Sequence, residues 1–215
     1  YFPNGELRDP FGQTEMSPVA TCLNPEDSIR KNTSVGKPVV NVEVRVVDEQ
    51  MNDVPLGEIG EIVYRGPTLM KEYYKNPEAT EEAFRGGWFH SGDLVRMDDE
   101  GFIYVVDRKK DMIISGGENI YPAEIEQVLM KHPDIKECAV IGVADEKWGE
   151  SVKAVIVQRE GAELNGDDII RFCQNQLSSY KKPRQVQFLE ALPRNAAGKI
   201  LKKALRQAEE GVTGG

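Results

Sequence analysis

Hydrophobic and polar positions follow two different rhythms along this chain, and the change falls near residue 110. From 39 to 65 the rhythm has period two. Val42, Val44 and Val46 alternate with Glu43 and Arg45, the pattern of a half-buried strand. Asn52-Asp53 and Pro55-Leu56-Gly57 supply turn residues. EIVYR (61–65) predicts a second strand, which Gly66-Pro67 ends. Residues 76–84, NPEATEEAF, predict a helix with Asn76 or Thr80 near its start. In GGWFHSGD (86–93) an aromatic pair is expected to pack between glycine turns, leaving Asp93 on a loop. Asp99-Glu100-Gly101 reads as a turn and residues 102–106 as a strand.

Past residue 110 strands alternate with helices. Met112-Ile113-Ile114 is a short apolar stretch that breaks at Ser115-Gly116-Gly117. A helix is expected over 122–131. Pro122 suits its first position, Glu124 and Glu126 lie near its positive end, and Ile125, Val128 and Leu129 form its apolar stripe. Strands are predicted over 135–143, 151–158 and 186–189. Asn165 and Asp168 are spaced as a capping box for a helix over 167–177, with Ile169, Phe172, Cys173 and Leu177 inward. Ile200, Leu201, Ala204, Leu205 and Ala208 stripe a last helix, and the tail from Gly211 is expected to fray. The expected fold class is α+β: a β-rich first part over 1–107, a joint over 108–110, and a small α+β domain over 111–215.

Composition removes several function classes. The net charge is −9 over 215 residues, which argues against a nucleic-acid partner. No run approaches the ~18 apolar residues of a membrane helix. Cys22, Cys138 and Cys173 lie far apart without metal spacing, as expected of reduced cytoplasmic thiols, and the last two sit in apolar patterns. His90 has no ligand partner at metal spacing and reads as a packed or exposed histidine. The chain opens on Tyr1 rather than Met and reads as a cut through a longer protein.

Four stretches carry candidate chemistry. In FGQTE (11–15), Thr14 offers a hydroxyl to a phosphate and Glu15 an oxygen to a hard cation. SGD (91–93) offers a carboxylate. DRKKDMIISGGENIYPAEIE (107–126) joins a charged run, an apolar stretch, two glycines and a helix start. Its RKKD segment reads either as a solvated turn or as a hinge. PRNAAGK (193–199) places a lysine after glycine, without the serine or threonine of a complete phosphate-binding loop. Trp148, in a polar turn, is either a lid on the local core or a stacking surface. YKKPR (180–184) is a basic run with an aromatic on an acidic chain.

In this order, GQTE, SGD, DRKKDMIISGGENIYPAEIE and PRNAAGK resemble the AMP-forming acyl-CoA synthetases of the adenylate-forming superfamily. The resemblance runs from Phe11 to about residue 206, and residues 1–9 give no clear match. It implies ATP, Mg2+ and CoA as ligands and a carboxylate substrate, of fatty-acyl type. It also implies a reaction through acyl-AMP, with rotation of the C-terminal domain between the two steps. Nucleotide contacts would fall to Gly12, Gln13, Thr14, Asp93 and Arg108, and Mg2+ to Glu15. Lys110 would be the pivot and Lys199 the catalytic lysine. CoA would meet Ser115, Gly116, Gly117, Trp148, Tyr180, Lys182 and Arg184. A larger preceding region with the phosphate loop and most of the acyl pocket is expected and is not in this sequence. The alternatives are an adenylating enzyme without CoA transfer, or a catalytically incomplete piece. A homo-oligomer is left open.

Overall fold

The computed structural model describes residues 5–213, with side chains through Glu209. The chain divides into two compact units, 1–109 and 110–215. Each has its own hydrophobic core.

In the first unit, β1 (Asp9–Phe11), β2 (Thr21–Leu23) and β3 (Lys37–Pro38) form a small antiparallel sheet. A second sheet runs in sequence order through β4 (Glu43–Val47), β5 (Ile59–Arg65), β6 (Phe89–Met97) and β7 (Ile103–Arg108). Val42, Val46, Ile62, Tyr64, Phe89, Val95 and Ile103 pack with Met16 and Ala20 into the core. Helix α1 (Pro77–Ala83) adds Ala83 to it, and Phe84, just past the helix end, packs there too. Asn76 caps this helix by accepting the Ala79 N–H at 3.2 Å. The two sheets are tied by backbone bonds between Ile103 and the Val35–Gly36 segment at 2.8 and 3.0 Å.

Asp93 is not on a loop. It lies inside β6, almost fully buried, opposite Arg108 on β7. The registers of β5–β6 and β6–β7 both slip around it, between Glu61 and Val63 and between Leu94 and Val95. Gly92 next to it has φ +72°. The glycine therefore bends a continuous strand rather than ending one.

In the second unit the central hairpin is β10 (Ile135–Asp145) with β11 (Gly149–Gln158). On the edge of β11 away from β10, β12 (Gln185–Phe188) adds parallel over Lys153–Ile156, and β8 (Ile113–Ser115), which carries β9 (Glu118–Ile120), pairs further along the same edge at Gly149. Side chains alternate across this sheet, and both faces are covered. Cys138, Val140, Ala154 and Ile156 meet α2 (Pro122–Leu129) and α3 (Gly166–Gln174) on one side. Ala139, Ile141, Val155 and Val157 meet Leu205 of α4 (Lys202–Thr213) on the other. Burial pushes the Cys138 thiol up to about 12 and the Cys173 thiol to about 11, so both are inert packing groups.

Several element boundaries differ from expectation, among them the end of α3, at Gln174 rather than 177. Gly116-Gly117 is the turn of a β8–β9 hairpin, with φ +61° and +86°, so strand Glu118–Ile120 separates the glycines from α2. Ile200 and Leu201 precede α4 rather than belonging to it. That helix runs through Thr213 where fraying was expected from Gly211, and 214–215 lie outside the described residues. The capping box of α3 is complete: Asn165 accepts from Asp168 N–H, and Asp168 from Asn165 N–H, both at 3.1 Å.

Candidate active-site elements

In the first unit the nucleotide candidates lie on two elements. Arg108 Nε donates to Asp93 Oδ1 at 2.6 Å, joining a buried carboxylate to a half-exposed guanidinium. Asp93 N–H is held by Ser91 Oγ at 2.9 Å, and Ser91 Oγ in turn donates to Ile62 O. The Tyr64 hydroxyl is buried nearby without a hydrogen-bond partner among the described residues. Burial, reinforced by the Asp93 charge, drives its pKa far up and keeps it a neutral phenol.

The GQTE stretch forms a single 3-10 turn, Thr14–Met16, after an extended Gln13. The space where a Gly12 side chain would project is filled by the Pro18 carbonyl, 2.1 Å from an added Cβ. That glycine is required by packing. Thr14 is exposed, and Glu15 is half-buried with Oε1 accepting from Tyr73 Oη at 3.0 Å. No donor reaches Glu15 Oε2 among the described residues. A carboxylate steadied on one oxygen and open on the other fits a hard cation such as Mg2+ that takes further oxygens from phosphate and water.

The second unit brings the CoA candidates together. Ser115, Gly116, Trp148, Tyr180, Lys182 and Arg184 line one cavity of about 630 Å³. Gly117 and Lys199 are not in that lining. Trp148 sits at the tip of the β10–β11 hairpin. Its carbonyl accepts the Gly116 N–H at 2.8 Å, and a Cβ on Gly116 would lie 2.7 Å from its ring. The Arg184 guanidinium lies 4.9 Å from the ring centroid. Of the basic run, Lys181 turns away and binds both oxygens of Glu124 on α2 at 2.7 and 2.9 Å. That tether leaves Lys182 and Arg184 on the cavity.

Lys199 is exposed on a turn that Asn195 builds. The Asn195 side chain accepts the Ala197 and Lys199 N–H groups at 3.0 and 2.9 Å, and the Asn195 backbone N–H donates to Lys199 O at 2.9 Å. Gly198, at φ +80°, closes the turn. The lysine is thus held at the backbone while its ammonium stays in solvent.

Several residues here escaped the sequence reading. Asp145 Oδ1 accepts the Lys147 and Trp148 N–H groups, both at 3.0 Å, and fixes the turn that carries the indole. Burial alone would raise the Asp145 pKa, but those N–H groups lower it. Glu150 Oε2 accepts the Ile114 N–H at 2.8 Å, pinning the same hairpin to β8. Glu118, Ile170, Ser179 and Pro183 complete the cavity wall. The aspartate and Asn195 carry a local signal, a turn side chain two to four residues before the amides it caps. Glu150 carries none, because its partner Ile114 is distant in sequence.

Residues 1–74 match the family model described as AMP-binding enzyme, and 124–199 match the AMP-binding enzyme C-terminal domain. The first match reaches back to residue 1, ahead of the Phe11 limit expected from motifs. The chain is 47% identical over 197 residues to a feruloyl-CoA synthase of an Amycolatopsis species, covering 92% of this chain and 40% of that protein. It is 42% identical over 205 residues to a long-chain-fatty-acid–CoA ligase of Escherichia coli, covering 95% and 36%. Among solved structures, o-succinylbenzoate CoA synthetase from Bacillus subtilis, in complex with its acyl-adenylate intermediate, superposes with a TM-score of 0.86. That match is 39% identical and covers 94% of this chain and 41% of the other. The same enzyme has also been solved with ATP and magnesium. The chain spans about two fifths of the length of these relatives. No helix among the described residues is long and apolar enough to cross a membrane. The two matched regions, in this order and over this α+β fold, make the chain a member of the AMP-binding, adenylate-forming enzyme family.

Proposed function

We propose that this chain is the C-terminal part of an acyl- or aryl-CoA ligase that works through an acyl-adenylate. In the first step a substrate carboxylate oxygen attacks the α-phosphorus of ATP, and the bond to pyrophosphate breaks. In the second the CoA thiol, having lost its proton, attacks the acyl carbon, and AMP leaves. The carrying observation is the cavity that gathers Ser115, Gly116, Trp148, Tyr180, Lys182 and Arg184. It offers a flat aromatic, close backbone approach and cations for phosphate, the chemistry that CoA requires. This favours CoA transfer over adenylation alone.

Asp93 is the ribose contact in this reading, with Arg108 orienting it, while Gly12, Gln13 and Thr14 form the phosphate turn. Glu15 holds Mg2+, which neutralises phosphate charge. Lys199 is the catalytic lysine, placing an ammonium where negative charge builds in adenylation. Lys110 is the pivot between two domains, 1–107 and 111–215. Gly117 takes part through its backbone turn rather than through the cavity wall. For the carboxylate we take fatty-acyl acids as the first class to test, supported by the Escherichia coli relative, with aryl acids as the competitor. A cytoplasmic location is part of the same proposal and rests on the three free cysteines.

The test is Lys199→Ala in the longer protein that carries this chain. Acyl-AMP formation should fall by roughly 100-fold or more. Thioester formation from supplied acyl-AMP should stay close to the unaltered rate. Equal loss in both half-reactions would overturn the assignment. The 215-residue chain assayed alone should form no acyl-AMP, since it lacks a phosphate loop.

A further inference from the structure

The charged run at the joint is not one solvated patch: its members are tied in opposite directions. Lys109 Nζ donates to Glu61 Oε2 at 3.0 Å, within the first unit. Asp111 Oδ1 accepts from Arg206 Nη2 at 2.7 Å, within the second. Lys110 stands between them, exposed, with no hydrogen bond or ion pair among the described residues. The boundary between the two units falls beside it, between Lys109 and Lys110.

Glu61 is more than a surface partner. Its side chain is 6% exposed and makes three contacts. Oε2 meets Lys109 and His90 Nδ1, the latter at 3.1 Å, while Oε1 accepts the Gly92 N–H at 3.0 Å. Burial would raise its pKa, yet His90 and Lys109 hold it below the ordinary carboxylate value. Withdrawing Lys109 would strip a buried carboxylate of a counter-charge, which is costly. The same carboxylate grips the backbone one residue before Asp93, so the strand bend and the joint share one anchor. On the far side, Asp111 is largely buried and Arg206 comes from α4, a long way off in sequence.

We propose that Glu61–Lys109 and Arg206–Asp111 are two clamps that confine backbone rotation at the joint to Lys110. Glu61 is then a positioning residue for the pivot. The inference rests on the reading of Lys110 as the pivot. With both neighbours fixed, one residue's φ and ψ absorb the motion, and the swing has a defined axis. With either clamp open, the joint becomes two residues long and the axis is lost.

Nitrogen-15 relaxation dispersion on the 215-residue chain tests this, since hinge motion falls in the microsecond–millisecond range. In the unaltered chain, exchange broadening among residues 108–112 should be confined to the amides of Lys110 and Asp111. In Lys109→Met it should spread back to Arg108 and Lys109. In Asp111→Asn or Arg206→Met it should spread forward to Met112. Lys109→Arg should restore the narrow pattern. Broadening that stays at Lys110 in all these variants, in chains with dispersed spectra, overturns the clamps and leaves the pivot standing. Absence of broadening throughout the unaltered chain's joint overturns the pivot reading and the clamps with it.

Discussion

Gly116 shows how one missing side chain sets a site. Its φ of +61° suits glycine, and the space where a Cβ would sit is taken by the Trp148 ring. Gly116→Ala adds a left-handed backbone cost of about 1–2 kcal/mol and pushes the indole aside. If Trp148 lines the CoA path, the thioester step should slow by up to ~100-fold while acyl-AMP formation continues. The two half-reactions, measured separately in the longer protein, check this. An unchanged KM for CoA would remove Trp148 from the site. The sequence made the glycines and the tryptophan visible as candidates. It could not show that they touch, because they lie 32 positions apart and meet only when β8 joins β11. Glu61 was hidden for the same reason, standing inside an ordinary strand pattern while its partners come from β6 and the joint.

Among the elements, those defined by short-range chemistry were read best. The capping box of α3 depends on Asn165 and Asp168 alone, so it was legible from spacing. Asn165→Ala should destabilise the second unit by about 1 kcal/mol. Its melting midpoint should drop by about 4–8 °C in a calorimetric scan. A midpoint within a degree of the unaltered chain would mean the box contributes nothing. Asp93 was misplaced onto a loop because Ser-Gly-Asp resembles a turn in isolation. Its strand continues because β5 and β7 pair on either side and take up the slack as register shifts. The β8–β9 hairpin was missed for want of length. Three residues after a glycine pair carry too little period-two signal to be told from a helix lead-in.

For the whole molecule, two separate cores imply two separate responses to acid. Asp98 in the first unit accepts from Lys31 Nζ at 2.6 Å, from Tyr104 Oη at 3.0 Å and from the Phe102 N–H at 2.9 Å. Burial opposes its ionisation, but these donors prevail and lower its pKa from 3.8 to about 2. A depressed carboxylate stabilises fully above its ordinary value, and that contribution fades as pH falls through the folded value. The first unit should therefore lose stability between pH 3.8 and about 2. Asp98→Asn should flatten that slope and leave the second unit unaffected. The chain has two tryptophans, and Trp88 and Trp148 fall in different units, so fluorescence of Trp148→Phe and Trp88→Phe chains reads each separately. A single shared transition would contradict the independence of the cores. The division into a β-rich part and an α+β part was legible because hydrophobic rhythm reports the class of each element. The place of the division was legible because the rhythm changes near residue 110, where the charged motif residues stand.

The β10–β11 hairpin carries a mechanical consequence. The support of β12 ends at Lys153, and from there to Trp148 the hairpin overhangs by ~16 Å at ~3.3 Å per residue. A beam loaded at its tip turns small angular slack into large travel. A tilt of about 5° over that span would shift the indole by more than 1 Å, enough at a reacting centre to cost ~100-fold in rate. The Gly116 N–H on Trp148 O and Glu150 on the Ile114 N–H act as a strut under the free end. Vibration of the tip, rather than strength of the core, is what those two bonds restrain.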